Sequence, residues 1–286
     1  MSSVHTGQRL ALLGIAVNAV LAVVKITAGV FGNAYALIAD GVESILDIGG
    51  SLIIWSGLKL ANKPPDESHP YGHGKAEPLA AVLVALVVLG AAGLLAVESV
   101  REIATPHHSP KPFTLAVLVG VVAVKEGLFR FVQRHKGNST ALEVDAWHHR
   151  ADAMTSIAAF LGISVALVGG PGYESADDYA ALLACGLIAY NGVHLLIPSL
   201  QEVMDKAPPK EFQREVRRVA GAVPQVEAID KCFVRKMGFD YYVDIHVRVR
   251  GDLTVIEGHA IAHAVKDELQ AANPAIRGAL VHIEPA

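Results

Sequence analysis

Asp40, Glu43 and Asp47 follow one another at steps of three and four, and Asp145, His148 and Asp152 repeat that spacing about a hundred residues later. Those steps place each set on one face of an α-helix. Both sets lie inside apolar stretches long enough to cross a membrane, where an ionisable group costs about 2.5–3.5 kcal/mol even on lenient insertion scales and marks a function by default. Carboxylates and an imidazole on two matching stripes are the ligands of a borderline cation, so the pattern points to transport of a divalent transition metal. Zn²⁺ is such a cation, taking tetrahedral oxygen and nitrogen ligands at about 2.0–2.2 Å. Without metal, crowded carboxylates cannot all stay ionised. Metal entry then displaces protons, and metal–proton exchange follows.

The elements that must position these residues are membrane helices. The 286 residues are 52% hydrophobic and 18% charged with mean hydropathy +0.40, more apolar and less charged than a soluble domain. Apolar windows fall at 9–31, 35–61, 79–103, 113–134, 141–169 and 177–200. Six crossings leave both termini on one side. Arg9, Lys59, Lys63, Lys75, Arg130, Arg134, Lys136, Lys206 and Lys210 mark that side as cytoplasmic by the positive-inside rule. The opposite connections at 32–34 and 171–178 carry no Lys or Arg, while the third has Arg101 and Lys111. No cleavable signal peptide is evident. Two cysteines give no disulfide framework, and the net charge of −4 gives no sign of nucleic-acid binding.

Past Asp205 the composition becomes that of a soluble domain. The pattern predicts a helix at 211–219, strands at 226–234 and 239–250, a helix at 255–269 and a strand at 279–284. That αββαβ order suggests a small α+β domain with helices on one sheet face. Alternation sends Val243, Ile245 and Val247 inward and His246 outward. The chain divides into a membrane domain, 1–205, and a cytoplasmic domain, 206–286.

Topology tests whether the stripes can meet. At 1.5 Å per residue, Glu43 and Asp47 lie about 12 and 18 Å below the outer surface, with His148 and Asp152 about 12 and 18 Å above the inner one. In a core about 30 Å thick, Glu43 is level with Asp152 and Asp47 with His148. The competing reading is that these are buried ion pairs bracing the bundle, with Arg150, Lys125 and Arg130 as partners. Asp40 and Asp145, one turn away, either line the entry path or sit near a helix end.

Three strings carry a family resemblance: Ala-Asp-Gly-Val-Glu-Ser-Ile-Leu-Asp at 39–47, His-Pro-Tyr-Gly-His-Gly-Lys-Ala-Glu at 69–77, and Asp-Ala-Trp-His-His-Arg-Ala-Asp at 145–152. With them the chain resembles a cation diffusion facilitator over nearly its whole length. The resemblance implies a multi-pass α-helical membrane protein (six transmembrane helices) with a C-terminal ferredoxin-like α+β cytoplasmic domain. It also implies homodimers and metal export from the cytoplasm in exchange for protons. By position the family's transport site is Glu43, Asp47, His148 and Asp152. Glu43 departs from the Asp or His usual in zinc exporters of the family, and His148 departs from the manganese-type members. Fe²⁺, Co²⁺, Cd²⁺ and Ni²⁺ stay open beside zinc.

The same resemblance implies a second metal site at Asp66, His69 and His73, against the plainer reading of a polar cytoplasmic loop. It pairs Lys75 with Asp205 and places a binuclear site on His246, His259, His282 and Glu284 of the tail, with Asp230 where zinc exporters can have a histidine. Solvated surface histidines are the alternative there, and His263 reads as one. The expected whole is a proton-coupled divalent-metal exporter of the plasma (inner) membrane, embedded in the lipid bilayer, with zinc as cargo and regulator. Two rivals stand against it. An intramembrane metalloprotease needs His-Glu-x-x-His, which the chain lacks. A membrane-anchored metal sensor has no use for charged stripes.

Overall fold

The computed structural model describes residues 2–104, 110–135, 140–170, 172–173, 175–238 and 240–286. Over 2–13, 135, 140–149 and 151 it describes the helical backbone alone. The side chains of Asp145 and His148 therefore lie outside the described residues, as do those of His5, His107, His108, His135 and Lys136.

The apolar windows become six long helices: α1 (Ser2–Gly32), α2 (Tyr35–Ala61), α3 (Ala76–Ala104), α4 (Phe113–His135), α5 (Thr140–Gly169) and α6 (Ala176–Val203). Among the described residues, Gly14–Gly32, Ala76–Ala104, Asp152–Gly169 and Ala176–Val203 are apolar and long enough to span a membrane by themselves. Helices α2 and α4 are diluted by the charges that give the site its character. Large apolar side chains face outward, including Leu94 and Val168 at 76% and 87% exposure. Such a surface suits lipid and no aqueous solvent.

Contacts divide the chain into two compact units, Met1–Ile53 with Leu83–His194, and Ile54–Val82 with Leu195–Ala286. In the first, Leu37 and Ala39 of α2, Leu118 of α4, Ile163 of α5 and Ala181 of α6 form one buried cluster. Asp177, at the start of α6, accepts from the backbone N–H of Tyr35 at 2.6 Å and of Ala36 at 3.2 Å. It thus caps α2 from another helix and fixes where the first acidic stripe begins.

The second unit holds the tail: α7 (Lys210–Gly221), β1 (Ala228–Met237), β2 (Asp240–Val249), α8 (Val255–Ala272) and β3 (Ile276–Pro285). The order αββαβ is the expected one. Strand β2 is central, antiparallel to β1 and parallel to β3. Val216 and Ala220 of α7 and Ile261, Val265 and Leu269 of α8 pack on Val243, Ile245, Val247 and Val249. A capping box between Thr254 and Glu257 starts α8. Strand β1 starts two residues later than expected and runs on to the turn at Gly238, whose φ of +65° suits glycine. Strand β3 extends past its expected bounds because it pairs with β2 from Ile276 onward.

Candidate metal centre

The first acidic stripe is half-buried to buried along α2. The charge of Glu43 feels Asp47, Asp40, Asp152 and Lys25, so carboxylates of α2 and α5 share one electrostatic neighbourhood. Each stripe also meets a buried lysine. Lys25 of α1, with no solvent exposure, donates to Asp40 Oδ1 at 2.8 Å and to Ser44 Oγ at 3.2 Å. Ser156 Oγ donates to Asp40 Oδ2 at 2.7 Å, and Thr155 Oγ1 reaches Oδ1 at 3.5 Å. Asp40 is thereby held by α1 and α5 together. Lys125 of α4, 1% exposed, donates to Asp152 Oδ2 at 2.5 Å and to Asn18 Oδ1 at 2.8 Å.

In the second unit, Asp66, His69 and His73 bring ligand atoms within 4.8 Å of one another. Asp66 Oδ1 accepts from the backbone N–H of His69 at 2.7 Å and of Ser68 at 2.9 Å. The imidazole nitrogens of His69 and His73 each stand 3.4 Å from its carboxylate. The His69 amide, more than the nearby histidines, holds the Asp66 carboxyl below the usual carboxylate range. His73 Nδ1 is buried without a hydrogen-bond partner among the described residues.

On the open face of the tail sheet, β2–β3 pairing sets His246 beside His282, their ring centroids 4.8 Å apart. Glu284, two residues along the same face, puts Oε1 at 2.6 Å from His246 Nδ1 and 3.7 Å from His282 Nε2. The His246 contact keeps the Glu284 carboxyl below the usual carboxylate range. These three also bring their ligand atoms within 4.8 Å of one another.

Residues 11–204 match the profile of the cation efflux transmembrane domain, and residues 208–286 that of the cation efflux protein cytoplasmic domain. The chain belongs to the cation diffusion facilitator family. This facilitator is 30% identical to the manganese efflux system protein MneP of Bacillus subtilis over 97% of its own length and 96% of that protein. It is 32% identical to an uncharacterized transporter of Methanocaldococcus jannaschii, covering 96% of each. With the cation-efflux pump FieF of Escherichia coli the identity is 26%, over 97% of the facilitator and 92% of the pump. The family consists of metal transporters, so the facilitator is no enzyme.

The structure brings together most residues singled out from the facilitator's sequence. Glu43, Asp47 and Asp152 share a field, while the side chain of His148 lies outside the described residues. Lys75 Nζ reaches Asp205 at 2.9 Å and also donates to the Val203 carbonyl at 2.9 Å. His259 lies outside the 4.8 Å group but lines one cleft with Glu284; its ring lies 4.5 Å from that of His263, both exposed on α8. Asp230 lies 3.9 Å from Arg248. Of the three basic residues weighed as partners for the stripes, Lys125 takes Asp152. Arg130 bonds Glu126 at 2.7 Å, and Arg150 lies over the Phe129 ring. Sequence reasoning missed Lys25 and Asn18. The signal for Lys25 was of the same kind as for the acids: one charge in the otherwise apolar run after Gly14.

Proposed function

We infer that this facilitator exports a divalent transition metal, zinc foremost, from the cytoplasm in exchange for protons by alternating access. Metal enters past Asp66, His69 and His73 and docks at Glu43, Asp47, His148 and Asp152. A rocking of the helices exposes that site to the other side, where protons compete the ion off. The protein works as a homodimer in the plasma membrane, with six crossings, both termini cytoplasmic and a domain boundary after Asp205. Metal at His246, His282 and Glu284 draws the cytoplasmic domains together and shifts the conformational balance. The relatives named for efflux of manganese and of cations support export as the direction.

The observation that carries this reading is the packing of the acidic stripe of α2 against α5, where Ser156 and Thr155 reach Asp40 and the Asp152 charge acts on Glu43, among apolar spans. Carboxylates collected there need a cation or protons to be tolerable. Oxygen and nitrogen donors in one set favour zinc over the harder manganese.

The test is flux into liposomes holding a zinc-sensitive dye. Wild-type protein should fill the vesicles faster when their lumen is acidic. Asp47→Ala and Asp152→Ala should reduce entry to the rate of protein-free vesicles, and undiminished flux in either would refute the site. Competition by manganese, cobalt, cadmium and iron(II) then ranks the cargo.

A further inference from the structure

A buried positive charge stands beside one of the proposed metal ligands. Asp152, one of the proposed metal ligands, carries the Lys125 ammonium at 2.5 Å, and the two side chains are 11% and 1% exposed. A zinc ion bonded to a carboxylate oxygen sits about 2.0–2.2 Å from it. An ammonium at hydrogen-bond distance from that carboxylate repels the metal strongly in a medium of low effective dielectric. Lys125 cannot escape to water, because it is buried on α4. Among the described residues its other partner is the neutral Asn18 Oδ1 of α1, at 2.8 Å.

We propose that Lys125 is an internal counter-cation that holds Asp152 in place of the metal and must be displaced toward Asn18 each time an ion binds. Three consequences follow. Metal affinity is set below what the ligands alone provide, since binding leaves a buried ammonium with only a neutral acceptor. Release is assisted, because the ammonium returns to Asp152 as the ion departs. Occupancy is also transmitted to α1 and α4, which contribute no proposed ligand, through one side chain that changes partner. Lys25 differs. Its carboxylate, Asp40, is also held by Ser156 and Thr155, so that pair is a fixed brace.

The inference rests on the transport site proposed above, and its test keeps the two separable. Zinc flux of the full chain in liposomes is measured for KM and kcat. Lys125→Met should lower KM about tenfold or more and lower kcat, because the ion binds tighter and leaves more slowly. Lys125→Arg, which keeps the charge, should bring KM back toward wild type. Asn18→Asp gives the ammonium a permanent second carboxylate and should lower KM with Lys125 intact, which keeps the question answerable if Lys125→Met does not fold. A role in packing alone changes kcat or yield without a fall in KM. An unchanged or raised KM in either folded variant overturns the counter-cation. If Asp152→Asn transports as wild type does, the transport site itself is wrong, and the counter-cation falls with it.

Discussion

His246 Nδ1 lies 2.6 Å from Glu284 Oε1 on the open face of the tail sheet, and His282 completes a triangle of donors there. The three stand on neighbouring strands whose other face is the domain core, so the group is positioned by β pairing rather than by a loop. Zinc should therefore raise the melting temperature of the full chain. At a hundredfold excess over the dissociation constant, the gain is about 2.7 kcal/mol. His282→Ala should remove this group's share of the shift and leave that of the other proposed sites, and a thermal scan with and without zinc checks it. A shift undiminished in that variant would mean that zinc does not bind at this group.

The same carboxylate sets a pH dependence without metal. Its folded-state pKa is lowered by His246, so its contribution to stability is present above the ordinary carboxylate range, near pH 4.3. That contribution is lost as pH falls through the lowered value. Wild type should melt above Glu284→Gln by a margin that is present above the ordinary carboxylate range and shrinks as pH falls through the lowered value. A margin that persists at the acid end would contradict the assignment.

Asp40 behaves differently from its stripe-mates. With Lys25, Ser156 and Thr155 all directed at it, it braces three helices. Asp40→Ala should cost about 3–5 kcal/mol by leaving the Lys25 ammonium buried and uncompensated. Folded protein recovered at low temperature should still bind zinc at the membrane site. Asp47→Ala should show the reverse: lost binding with a smaller fall in melting temperature. Thermal melts and zinc calorimetry on both variants separate the roles.

Gly41 lets α1 and α2 meet beside that brace. A Cβ there would stand 2.6 Å from Ile26 Cγ1 and 3.1 Å from the Ile26 backbone nitrogen, and backbone cannot yield as a side chain can. Gly41→Ala should destabilise the chain by about 1–3 kcal/mol and reduce flux by shifting Lys25 away from Asp40. Unchanged melting and flux would show that the helices can separate there freely.

Much of this was legible in the sequence because its signals are local. Helix α2 occupies 35–61 as expected, and α4 and α5 come within a residue of expectation, since a membrane span is bounded by where apolar composition stops. The stripes were legible because helical spacing alone sets a face. The alternation in β2 foretold that His246 looks away from the core. What escaped depends on partners distant in sequence. Nothing local says that Lys25 reaches Asp40 or that Asp177 caps α2 from α6. His259 entered the expected tail ligands from resemblance alone, and its place beside His263 on α8, in one cleft with Glu284, is set by packing that no local signal reports. Strand β3 starts three residues early because its first pairs are chosen by β2.

The two buried ammoniums have a consequence for which ions the membrane can pass. Lys25 pairs with Asp40 and Lys125 with Asp152, so part of the acidity of the stripes is neutralised from within before any ion arrives. What stays of it must be balanced by protons or by the passing cation, since residual charge in this setting is severely penalised. A singly charged ion such as sodium or potassium thus meets a blunted attraction, before any question of ligand geometry or ionic radius arises.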